Sequence, residues 1–295
     1  MPLESVASLI SSALEREYAV GYFESWNLES LAGVIDAAEQ TRSPIVVGFN
    51  GEFLSRPQRH AVERLKWYAQ LGRAAAESAS VPCGLIFNEC PIDDWVMQAA
   101  AAGFNLVMLA DPTAPYDDYL RRVRRVVEHA HGLGVAVEAE LGQLPCGSSG
   151  SMTHRGTVTD PQQAASFVEQ TGVDLLAVSV GNVHVMVQGQ QGLDLSQLER
   201  IHKVVPVPLV LHGGTGIPSE VLGQALAMGV VKVNYGTYLK QSYLAAVRRA
   251  LDNDLTDPHL LLGRGGSEDV MVAGRRAVRD AVLERIGWLG CCQRA

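Results

Sequence analysis

The chain has few cysteines, few basic residues and no long apolar run, and each shortage excludes a class of protein. Its five cysteines, Cys83, Cys90, Cys146, Cys291 and Cys292, are odd in number, scattered and without a CxxC pair. This argues against a disulfide framework or a thiolate cluster and implies reduced thiols in a cytoplasmic protein. The adjacent Cys291 and Cys292 fall at a terminus expected to fray. Lys and Arg total 24 against 32 Asp and Glu, a formal charge of -8, so no nucleic-acid-binding face is expected. No window reaches the ~18 uninterrupted apolar residues of a membrane span, so no membrane partner is expected. The first residues carry acids among apolar positions and lack a basic segment followed by an apolar core. They read as a short amphipathic helix and not as a secretory leader. Linkers, low-complexity tracts and composition shifts are also missing, so residues 1–295 are read as one domain.

Hydrophobic residues make up 47% and charged residues 19% of the chain, enough apolar material for a sizeable core. Apolar runs bounded by turn signals predict eight strands: Tyr18–Phe23, Pro44–Asn50, Cys83–Asn88, Leu106–Ala110, Ala136–Gly142, Leu175–Gly181, Pro208–Gly214 and Val231–Thr237. Most are continuously apolar, as strands covered on both faces of a parallel sheet should be. Helical periodicity fills the intervals, for example Leu28–Gln40, Tyr116–His131 and Pro161–Thr171. Asp160 followed by Pro161 is a cap and first-turn signal. Eight βα units roughly thirty residues apart predict an α/β fold of the (β/α)8 TIM-barrel type. A C-terminal helical extension, Ser267–Ile286, is expected to cover it.

In such a barrel, chemistry belongs to the C-terminal ends of the strands. The polar residues Asn88, Glu89, Glu140, His184, His212 and Asn234, and with them Gly181, fall at those ends. Two glycine-bearing loops also stand there, next to each other. Leu211-His-Gly-Gly-Thr-Gly216 follows strand seven, and Asn234-Tyr-Gly-Thr237 follows strand eight. Glycines let backbone N–H groups approach an anion, and loops after strands seven and eight are the usual phosphate site of these barrels. Gly181, Gly213, Gly214, Thr215, Asn234, Gly236 and Thr237 are therefore the candidate phosphate ligands.

With these strings in place, the chain resembles the class II aldolases, closest to the tagatose- and fructose-bisphosphate aldolase branch. Further matching strings include Tyr18–Phe23 with Asn27-Leu-Glu29, Val137–Gly142, Thr159–Gln162, Thr171–Asp174, Leu211–Pro218 and Lys232–Thr237. The resemblance implies a zinc-dependent TIM-barrel enzyme, a homodimer or homotetramer, that cleaves or forms a C–C bond in a phosphorylated ketose through an enediolate. It also implies a zinc set. His184 and His212 match two of the family's three metal histidines, and the third position holds Glu89. The family's proton-donating aspartate corresponds to Asn88. The loop that carries its proton-abstracting acid runs here from Leu144 to His154 without an acid, and Gln188 stands for a phosphate-contacting lysine. Glu140, linked to a second metal position, is kept, while another such acid is replaced by Ala110, followed by Asp111.

Two histidines and a carboxylate form an acceptable zinc set. Asn88 hydrogen-bonds but delivers no proton, and losing one general acid or base costs ~10²–10⁴-fold in rate. Asn88 and Glu140 are the candidate catalytic positions, with His154 and Asp111 as other possible proton carriers. Two readings remain open: a divergent metal-dependent lyase, or an aldolase homologue that binds a sugar phosphate as a sensor or partner protein.

Overall fold

The structure is a computed structural model that describes residues 3–145, 156–184, 189, 191–252 and 254–295. Eight parallel strands close a barrel in chain order. They are β1 Val20–Ser25, β2 Ile45–Asn50, β3 Cys83–Cys90, β4 Leu106–Leu109, β5 Ala136–Leu141, β6 Leu175–Val178, β7 Leu209–Leu211 and β8 Val230–Tyr235. The TIM-barrel expectation holds because each run is apolar enough to be covered by helices outside and side chains inside. Helices Tyr116–His131 and Pro161–Thr171 have the expected bounds. The latter is capped by Asp160, whose side chain accepts from Gln163 N–H, with Pro161 in its first turn.

Most strands are shifted or shorter than the apolar runs suggested, for local reasons, while β3 runs two residues longer, to Cys90. β1 starts and ends two residues later than expected, because Tyr18 and Ala19 are tied to the chain termini, with Ala19 N–H donating to Leu289 O. β6 stops at Val178: the Asn182 carboxamide takes the Val180 N–H and donates to Val178 O and His212 O, turning the chain inward. β7 ends before Gly213, whose φ of 68° leaves the extended region, and Gly214–Gly216 forms a 3-10 turn. β8 ends at Tyr235, and Thr237 instead opens helix Thr237–Leu251.

Both ends of the chain close on the barrel. Helix Val6–Glu15, capped by Ser5, buries Val6, Leu9, Ile10 and Ala13 near the start of β3. The final helix, Val270–Ile286, starts three residues later than expected. It completes the outer ring beside helices Leu28–Thr41 and Thr237–Leu251, with Arg275 paired to Asp36 at 2.6 Å. The tail is not frayed: Cys291 is fully buried, and Gln293 and Arg294 N–H groups bond to Thr41 O and Arg42 O. Among the described residues, no helix is long and apolar enough to cross a membrane.

Candidate active site

The site is built on a polar column inside the barrel. Glu138 on β5 and Lys232 on β8 are fully buried and meet across it, Lys232 Nζ lying 2.8 Å from Glu138 Oε2. Lys232 also donates to Asn234 Oδ1 at 2.6 Å and lies 5.3 Å from the Tyr22 ring centroid. The other Glu138 oxygen lies 2.9 Å from His212 Nε2 at the end of β7. Burial by itself would neutralise Glu138, but Lys232 and His212 outweigh it and hold the carboxyl below its ordinary value. Burial likewise lowers the Lys232 ammonium, opposed by Glu138. This pair fixes His212 by Nε2 and leaves Nδ1 aimed at the mouth.

At the mouth, β3 supplies two consecutive side chains to one cavity. An extended strand sends neighbours to opposite faces, but here the pairing of β3 with β4 slips by one residue between Phe87 and Cys90. Glu89 takes φ 52° at this bulge, a left-handed conformation that costs about 1–3 kcal/mol for a residue with a Cβ and marks a constrained position. Both Asn88 and Glu89 therefore line the cavity. Asn50, at the end of β2, holds the strained residue by donating to Glu89 Oε2 at 2.7 Å.

Glu89 Oε1 lies 2.9 Å from His212 Nδ1 and 3.5 Å from His184 Nε2. Glu140 Oε2 stands 3.8 Å from His212 Nδ1. The Glu89–His212 contact is close but poorly aligned, leaving the buried Nδ1 without a hydrogen bond. Glu140 Oε1 and Asn88 Oδ1 are likewise buried and unpaired. Burial opposes charge on both imidazoles, yet the carboxylates win: Glu89 and Glu140 lift His184 to about 9, and Glu140, Glu138 and Glu89 lift His212 to about 10. Glu89 is held well below the usual carboxylate range, burial being outweighed by the two histidines. Glu140, with no such close partner, is raised by burial.

The carboxylates of this corner therefore stabilise positive charge on the two imidazoles. Among the described residues, however, no three His, Cys, Asp or Glu side chains stand in a ready metal-ligand arrangement. The fit rests on the orphaned His212 Nδ1 and Glu140 Oε1 and on the donor chemistry of Glu89, His184 and His212, which is acceptable for zinc.

The cavity, about 250 Å³, joins this corner to the two glycine loops and to Tyr22 and Glu24. Gly213, Thr215, Asn234, Gly236 and Thr237 line it. Gly213 needs its lack of a Cβ twice: φ is positive, and an added Cβ would overlap Val183 O. Gly181 and Gly214 do not line the cavity; Gly214 packs under Tyr235 and Val233, and Gly181 turns toward Gly192. Glu140 borders a neighbouring cavity of about 390 Å³ with Asp111 and Tyr119. Asp111 is committed to Arg122 at 2.7 Å. His154 and Gln188 lie outside the described residues. Glu24, Asn50, Glu138 and Lys240 were not anticipated, although Glu24 and Asn50 obey the same strand-end rule that picked out the others.

Residues 4–294 match the family described as fructose-bisphosphate aldolase class II. The chain belongs to the class II fructose-bisphosphate aldolase family. Among its relatives, the fructose-bisphosphate aldolase of Geobacillus stearothermophilus is 31% identical over 300 residues, covering 100% of this chain and 99% of that protein. The uncharacterized protein YdjI of Escherichia coli is 32% identical over 281 residues, covering 95% of each chain. The crystal structure of the YdjI aldolase superposes with a TM-score of 0.82 at 30% identity, covering 99% of both chains. This class II aldolase thus shares the barrel of its solved relative. Metal dependence is general in the family.

Proposed function

We propose that this class II aldolase homologue is a zinc-dependent lyase that cleaves or forms a C–C bond in a phosphorylated ketose of the dihydroxyacetone-phosphate type. The observation that carries the reading is the convergence of His184 Nε2 and His212 Nδ1 on one oxygen of Glu89, beside a cavity lined by both glycine loops. Glu89, His184 and His212 would hold the metal, which when bound supplies positive charge that polarises a carbonyl next to the bond concerned.

The chain's own groups do the remaining work. Backbone N–H groups at Gly213, Gly236 and Thr237, with the Thr215 hydroxyl, hold the phosphate. Asn234 Nδ2, buried and unpaired, donates to a substrate oxygen. Glu138 and Lys232 keep His212 in one tautomer and orientation. Asn88 orients a substrate hydroxyl through hydrogen bonds but moves no proton, so the aldehyde half of the substrate differs from that of a family member with an aspartate there. Glu140 Oε1, buried and unpaired, is the remaining carboxyl oxygen beside His212.

A second reading, a sugar-phosphate-binding homologue without aldol activity, is favoured by Asn88 alone. Metal analysis of protein purified without chelator, together with Glu89→Ala and His212→Ala, tests the centre: zinc is expected in the wild type and depleted in both variants. Dihydroxyacetone phosphate in D2O then separates the readings. Loss of its C3 proton signal supports the lyase, whereas thermal stabilisation without exchange supports the binding protein.

A further inference from the structure

A phosphate dianion in the cradle calls for a cation. Among the described residues that line the cavity, Lys240 is the one lysine or arginine. It lies one turn into helix Thr237–Leu251, with its N–H donating to Gly236 O at 3.1 Å. That helix has no side-chain cap at Gly236. Asn234 Nδ2, nine-tenths buried and without a partner, opens on the same cavity.

Lys240 Nζ is 2.5 Å from Glu24 Oε1, 4.2 Å from the Phe53 ring centroid and 5.8 Å from that of Trp26. The second oxygen of Glu24 lies against Gly236, so close that an added Cβ there would overlap it. The buried Glu24 carboxylate therefore stands between the ammonium and the loop after β8, on the side where an anion's oxygens would meet that loop.

We propose that Glu24 is an internal counter-anion of the cradle and Lys240 its exchangeable cation, so that a bound phosphate replaces the carboxylate as Lys240's partner. The proposal rests on the phosphate reading above. A lysine suits the exchange because its three donors sit on a flexible stem, and the Phe53 ring keeps the ammonium at the mouth while it moves. Lys240 then promotes phosphate binding and Glu24 opposes it.

The two roles predict effects of opposite sign, which a merely structural ion pair does not. Isothermal titration of inorganic phosphate and of dihydroxyacetone phosphate into the zinc-loaded protein is the test. Lys240→Gln is expected to weaken both by about 10- to 100-fold, the loss of one charge-assisted hydrogen bond. Glu24→Gln, which keeps the shape of the side chain, is expected to tighten both. Dihydroxyacetone, lacking the phosphate, should bind all forms alike. Wild-type affinity in Lys240→Gln, or equal weakening in both variants, overturns the proposal while leaving the cradle intact. No phosphate binding by the wild type overturns the cradle and the proposal together.

Discussion

Replacing Lys232 by methionine removes a buried charge while nearly conserving volume. The ammonium is fully buried, 2.8 Å from Glu138 Oε2 and 2.6 Å from Asn234 Oδ1. Deleting one partner of such a pair leaves the other charge uncompensated, at a typical cost of about 3–5 kcal/mol. His212 lies 2.9 Å from the other Glu138 oxygen and can carry a proton, which places the expected loss at the lower end, about 3 kcal/mol. For a chain of this length that corresponds to a fall of roughly 5 °C in melting midpoint. Urea unfolding of the metal-free protein measures it directly. The double variant Lys232→Met with Glu138→Gln should recover at least half of the loss, because it removes the orphaned charge and leaves His212 a neutral partner. A single variant within about 1 kcal/mol of wild type, or a double variant as unstable as the two singles combined, would refute the claim that a charge pair holds the barrel interior.

Two further changes probe the mouth and rim. Gly213→Ala should cost about 1–2 kcal/mol from its left-handed backbone alone, with more from the overlap with Val183 O. It should also abolish phosphate-induced stabilisation in a thermal scan. At Asp111, burial would raise the carboxyl, but Arg122 and Thr113 hydrogen bonds outweigh it and hold it below its ordinary value. A depressed folded-state value gives stability that is present above the unfolded pKa of about 3.9 and is lost as pH falls through the folded value. Urea midpoints between pH 7 and pH 3 should therefore fall less steeply in Asp111→Asn than in wild type. Identical slopes would show that the Arg122 pair contributes nothing to acid sensitivity.

Much of this protein was written along the chain. Residues such as Ile45-Val-Val47 and Leu85-Ile-Phe87 read as buried strands because covering on both faces demands unbroken apolar runs, and the alternation with helices left a barrel as the natural closure. The rule that chemistry gathers at strand ends then located Asn88, Glu89, His184, His212 and the two glycine loops without any coordinates. The tail misled, because Cys291 and Cys292 carry no periodic signal of the docking against Thr41 and Arg42.

Tertiary structure alone decided how these residues meet. Glu138 and Lys232 are 94 positions apart on strands that do not pair, and only barrel closure turns both inward to form an ion pair. The slip in register at β3, invisible in the sequence, is what turns Glu89 into the same cavity as Asn88. Likewise, nothing in the string around Glu24 announces that its carboxylate will lie over Gly236 and hold Lys240. Composition and periodicity fix which residues are buried and which end of a strand they occupy. Which charges face each other depends on strand tilt and closure, and those are properties of the assembled barrel.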